Sequence, residues 1–145
     1  YGGLPRHGVV FISVADRDKR AAVLPALRLR QLGFELWATE GTNEVLARHG
    51  IAARVVRKHS SAVDGEPSIV DLINAGEVDI VINTPSGRSA RADGIEIRTA
   101  TVAADKPLFT TMATVAAAVA SLETSVETVT VTSLQDYAIA RAGGA

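Results

Sequence analysis

The sequence predicts an α/β fold in three layers, a parallel sheet covered by helices on both faces. Two observations predict it. Short β-rich runs alternate with helical stretches along the chain, as when crossover helices join parallel strands. The strongest strand candidates are continuous apolar runs, as expected where both faces of a sheet are buried. The 145 residues fit one domain. A chain of this size buries roughly 68–70% of the surface its unfolded form exposes. Its 47% hydrophobic content excludes a disordered class.

Residues 1–8 are rich in Gly and Pro and read as a linker. The chain opens on Tyr, so the expectation is a piece cut from a longer protein, with the domain at 9–137 and a tail at 138–145. Val9 to Val14 is the first strand. Asp16 to Leu32 is the first helix, with Ala22, Val23, Ala26, Leu27 and Leu29 at helical spacing and Gly33 as its stop. Pro25 inside it removes one backbone bond and predicts a kink. Phe34 to Ala38 is the second strand, Gly41 to His49 a short helix closed by Gly50, and Arg54 to Arg57 a third strand. Ser68 to Ala75 is helical, with Ile69, Leu72 and Ile73 on one face and Gly76 as its stop. Val78 to Ile82 is the fourth strand. A helical region covers Arg88 to Ala104, broken near Asp93-Gly94. Pro107 to Phe109 is a short fifth strand and Thr111 to Leu122 an Ala-rich helix. Thr128 to Thr132 alternates Thr and Val, the pattern of an extra C-terminal edge strand.

Composition narrows the function. Lys and Arg number 15 against 16 Asp and Glu, so there is no basic field for nucleic acid. The absence of cysteine excludes disulfides, thiolate metal sites and a cysteine nucleophile, and suits a cytoplasmic location. His7, His49 and His59 have no metal-ligand spacing. The apolar run from Met112 to Leu122 is shorter than the roughly 20 residues a bilayer requires, so no membrane partner is expected.

The small polar and basic residues collect after the strands. Asp18-Lys19 follows the first, Thr39-Glu40-Gly41-Thr42 the second, Lys58-His59-Ser60 the third and Asn83 to Arg88 the fourth. Right-handed crossovers bring all four clusters to one edge of the sheet, where ligands bind in such folds. A Thr-x-Gly-Thr turn opening a helix offers hydroxyls, unpaired amides and the positive end of the helix dipole. Gly41 lets the backbone approach a phosphate closely. Lys19 and Lys58 supply point charges, and Asn83 and Ser86 can bond a sugar or base edge. Each has a plainer reading: Thr39 or Thr42 as helix cap, the lysines as solvated charge, Asn83 to Gly87 as a turn. Their convergence on one edge favours an anion site. Trp37 reads as core, His49 as a charge suited to a helix C-terminus, and Asp71 and Glu77 as solvated.

Three strings carry a family resemblance: Ser13-Val14 with Asp18-Lys19, Gly33 to Thr42, and Ile82 to Arg88. In this order and spacing they resemble the C-terminal allosteric domain of the carbamoyl-phosphate synthase large subunit, of the methylglyoxal-synthase-like fold group. The likeness runs from Gly8 to Tyr137. It implies a five-stranded parallel sheet in the order 3-2-1-4-5 and a nucleoside monophosphate site at its edge, where uridine monophosphate inhibits and inosine monophosphate activates. It places Lys19, Thr39, Gly41, Thr42 and Lys58 on the phosphate, and Asn83, Thr84 and Ser86 on ribose or base. Pro85 stands where the family often has Thr. Thr110 matches a threonine that contacts ornithine, with Leu108 and Phe109 competing for the aromatic position beside it.

The resemblance also implies the setting. Residues 1–8 would join a preceding synthetase region. The parent chain would be an oligomeric, ATP-dependent ligase using Mg, Mn or K ions, paired with a glutaminase small subunit and serving pyrimidine and arginine biosynthesis. The fragment itself would need no cofactor and would not be an enzyme. Two alternatives stand beside it. A methylglyoxal synthase would use Glu66, in the Asp64-Gly65-Glu66 string, as its base, but Asn83 to Arg88 contains no histidine to serve as its electrophile. A purely structural oligomerisation module would pack through the Thr128 to Thr132 edge strand and the Ala-rich helix, and failure to bind any nucleotide with self-association retained would favour it.

Overall fold

The computed structural model describes residues 4–58, 65–85 and 91–124. Its strands are β1 (Val9–Ser13), β2 (Glu35–Ala38), β3 (Arg54–Val55), β4 (Ile80–Asn83) and β5 (Leu108–Phe109). They form one sheet in the order β3-β2-β1-β4-β5, and every neighbouring pair is parallel. The helices are α1 (Lys19–Gln31), α2 (Glu40–Arg48), α3 (Ile69–Asn74), α4 (Arg91–Ala103) and α5 over 112–124, with a 3-10 turn at Asp16–Asp18. The expected edge strand at Thr128 to Thr132 lies outside the described residues.

The uninterrupted apolar runs are now accounted for. In β1, Val10 and Ile12 enter a core with α1, α2 and α5, through Ala22, Ala26, Leu29, Leu46, Val115 and Val119. Phe11, between them, enters a second core with α3 and α4, through Ile69, Leu72, Ile73 and Ile97. Side chains alternate across a strand, so burial on both faces replaces polar alternation with an apolar run, and in β1 and β4 polar residues enter only at the C-terminal ends, Ser13 and Asn83. Each fully buried aliphatic or aromatic side chain contributes about 1.5–3 kcal/mol. Trp37 belongs to the second core, as expected.

Helix ends follow local chemistry. Gly33, Gly50 and Gly76 all adopt positive φ just past a helix. At each, the next amide reaches back to a carbonyl in the last turn: Phe34 to Leu29, Ile51 to Leu46, Glu77 to Leu72. Asp105 makes the same turn after α4 at φ 56, the position where the sequence carries no glycine signal.

Several boundaries differ from the sequence reading. The first helix starts at Lys19, because Asp16–Asp18 forms the tighter turn. On α1 the buried stripe is Ala22, Ala26 and Leu29, while Leu27 is exposed. The helix runs from Lys19 to Gln31 with Pro25 inside it. Asp71 is not merely solvated: it forms a reciprocal capping box with Ser68 at the start of α3. The expected break at Asp93-Gly94 is absent, and α4 continues through it. The glycine serves packing instead. A Cβ at Gly94 would lie 2.8 Å from Nη1 of Arg98, which passes over it to reach Asn83.

Candidate functional site

A cleft of about 1350 Å³ opens at the C-terminal ends of β1, β2 and β3. Its floor is a line of hydroxyls. Thr39, at the end of β2, can give its one hydroxyl proton to Ser13 Oγ (3.5 Å) or to Thr42 Oγ1 (3.3 Å). The Thr42 hydroxyl also accepts from the Val14 amide at 3.3 Å. All three hydroxyl residues are buried. Thr39 is the N-cap of α2, yet its side chain caps no amide. The first-turn amides of Glu40, Gly41 and Thr42 have no partner within the helix, and these residues line the cleft. The site therefore combines hydroxyls with a helix N-terminus, an arrangement suited to a compact anion.

Two lysines supply charge. Lys19 opens α1 and lines the cleft; Lys58 follows β3 and lines it from the other side. The Lys19 ammonium is folded inward over Gly41, so that a Cβ there would lie 2.9 Å from Nζ. Gly41 has an ordinary negative φ, and its use is this close approach. Lys19 is ion-paired to Asp16. That hydrogen bond and charge, with a smaller contribution from Lys58, hold the Asp16 carboxyl below its ordinary value. Arg57 donates to Glu66 across the rim at 2.9 Å. Arg54 stacks its guanidinium 4.7 Å above the Trp37 ring.

The structure thus brings together Lys19, Thr39, Gly41, Thr42 and Lys58. Asn83 and Thr84 do not line the cleft and are buried in the seam between β1 and β4. Thr84 Oγ1 accepts from the Ala15 amide at 2.8 Å. Asn83 donates through Nδ2 to the Ser13 carbonyl (3.4 Å) and accepts through Oδ1 from Arg98 (2.8 Å). Thr110 follows β5, on the opposite edge of the sheet from β3. Pro85 accepts through its carbonyl from Arg17 at 2.9 Å. Ser86, His59 and Asp64 lie outside the described residues. Sequence reasoning missed Ser13, Asp16 and Arg98 as parts of this architecture. Asp16 had a signal, its spacing three residues before Lys19 at a helix start. Arg98 had none, because only the fold carries it to Asn83.

The family model described as MGS-like domain matches residues 21–110. The chain belongs to the MGS-like domain family. The observed strand order and helix layers are those expected of that fold. The carbamoyl phosphate synthase large chain of Clavibacter sepedonicus is 68% identical to this MGS-like domain over 143 residues, covering 97% of it and 13% of the relative. The large chain of the same name from Beutenbergia cavernae is 58% identical over 145 residues, covering 98% and 13%. That of Streptomyces coelicolor is 52% identical over 141 residues, covering 95% and 13%. The MGS-like domain therefore spans about 13% of the length of these curated relatives. The crystal structure of ForH shares the fold, with TM-score 0.59 and 18% identity over 82% of this chain and 81% of that one. Among the described residues no helix is long and apolar enough to cross a membrane, and no group of His, Asp or Glu could hold a metal ion.

Proposed function

We propose that this MGS-like domain is the regulatory part of a carbamoyl phosphate synthase large chain, and that its cleft takes the phosphate of a nucleoside monophosphate. Uridine monophosphate lowers, and inosine monophosphate raises, the parent's ATP-dependent synthesis of carbamoyl phosphate from glutamine and bicarbonate. Ornithine is a further activator, met at Thr110. The parent works in the cytoplasm with a synthetase core and a glutaminase small subunit, in pyrimidine and arginine biosynthesis. The long relatives sharing this domain at high identity support that setting.

One observation carries the ligand reading. Two lysines from separate strand ends flank a buried line of hydroxyls at the uncapped start of α2. Phosphate monoesters carry nearly two charges at neutral pH and three strong acceptor oxygens, which this donor set matches. Asn83, Thr84 and Ser86 serve the ribose and base, Asn83 and Thr84 by holding the loops after β1 and β4 in register. Binding rather than turnover is supported by the lack of a histidine from Asn83 to Arg88, the stretch that would supply an electrophilic donor. Control follows if the ligand prefers one of two docked arrangements of the domain, since only differential affinity shifts an equilibrium.

The test is calorimetric titration with uridine and inosine monophosphates, preceded by a thermal-shift screen that includes ornithine. Lys19→Ala should weaken nucleotide binding by about 1.5–3 kcal/mol, the scale of a charged hydrogen bond. Equal affinity of Lys19→Ala and the wild type would sink the site assignment.

A further inference from the structure

We propose that Asp16 is a resident counter-ion of the anion cleft, occupying the Lys19 ammonium until a ligand phosphate displaces it. This rests on the anion-site reading above and adds a residue to it. Asp16 begins the 3-10 turn after β1, and its carboxylate accepts a hydrogen bond from Lys19 Nζ. A pair three residues apart at a helix start usually lies with both partners in solvent. Here the partners differ: the Asp16 side chain is 94% exposed, but that of Lys19 is only 22% exposed. Lys19 is held inward over Gly41, at the amides of α2. Asp16 lines the same cleft as Thr39, Thr42 and Lys58.

The carboxylate also feels Lys58, which comes from the end of β3 rather than from its own element. Lys19 is the cation Asp16 pairs with, and Lys58 lines the same cleft. An anion arriving at Lys19 meets the Asp16 carboxylate already on that ammonium, and repulsion between the two negative groups favours binding in the fraction of molecules where the pair is open. Apparent affinity falls by that fraction. The reduction is the same for every anion that uses Lys19. Asp16 therefore sets the affinity of the cleft and not its choice among anions. Because Asp16 is exposed, opening the pair returns it to water at little cost, so the contact acts as a reversible plug.

Calorimetric titration with inorganic phosphate and with uridine monophosphate tests this on four variants of the chain. Asp16→Asn should tighten both ligands by about two- to five-fold, the scale of an exposed ion pair. Glu40→Gln, which removes an exposed charge from the same rim, should produce a smaller change. In a Lys19→Ala background, Asp16→Asn should give no further gain. Unchanged or weaker binding by Asp16→Asn overturns the proposal, and so does an equal gain in the Lys19→Ala background or in Glu40→Gln. If neither wild type nor Asp16→Asn binds either ligand, the anion-site reading itself fails and this inference falls with it.

Discussion

Gly41 shows how one missing Cβ organises the cleft. Its neighbour across space is the flexible end of Lys19 rather than backbone. A methyl group there displaces an ammonium without forcing the chain to move. Gly41→Ala should therefore keep the fold and its melting temperature, since Ala is the better helix former. It should weaken uridine monophosphate binding several-fold, because Lys19 can no longer lie over the α2 amides. Circular dichroism melting beside calorimetry checks both halves, and a variant that loses stability instead would show that the glycine serves the backbone. Lys19, Thr39 and Thr42 stood out in the sequence because their loops follow neighbouring parallel strands and so converge on one sheet edge, although each alone has an ordinary reading. Asp16 was passed over because an exposed acidic residue at a helix start has an ordinary explanation in the dipole.

The helices illustrate local rules of unequal visibility. Three glycine stops stand where the sequence places them, since a residue past the last turn must enter the left-handed region. The capping box on α3 was equally local. Ser68 Oγ accepts from the Asp71 amide at 3.3 Å, and Asp71 Oδ2 accepts from the Ser68 amide at 3.0 Å. Ser68→Ala should cost about 1 kcal/mol, measured as a shift of the urea midpoint with unchanged slope. A loss near zero would mean that water replaces the cap. Gly94 points the other way. A glycine inside a helical pattern reads as a break, but here it clears a path for Arg98. No window of the sequence contains that reason, because the target of Arg98 is Asn83, on another element.

Across the whole molecule, the seam between β1 and β4 joins residues some seventy positions apart. The Thr84 hydroxyl accepts from the buried Ala15 amide, and the Thr84 amide donates to Ser13. This seam anchors the loop that carries Asp16 and Lys19. Thr84→Val removes the acceptor and leaves the Ala15 amide buried without a partner. It should cost about 1–3 kcal/mol of ligand-free stability, read from denaturant unfolding. Wild-type stability in that variant would show that Thr84 does not hold the seam. The same change should also weaken uridine monophosphate, by loosening the Lys19 loop.

The sequence by itself determined the alternation of elements, the parallel sheet and the polar loops gathered at one of its edges. Those features are encoded over a few neighbouring residues, as apolar runs, helical spacing and glycine stops. Only the tertiary structure decided which polar groups meet. It placed Asn83 and Thr84 in a seam rather than on the cleft wall, paired Arg57 with Glu66 across the rim, and folded the Asp16-paired Lys19 inward over Gly41. The reason is physical. Strand and helix formation depend on local periodicity, whereas hydrogen bonds between loops depend on the twist and register that bring distant strand ends to one edge.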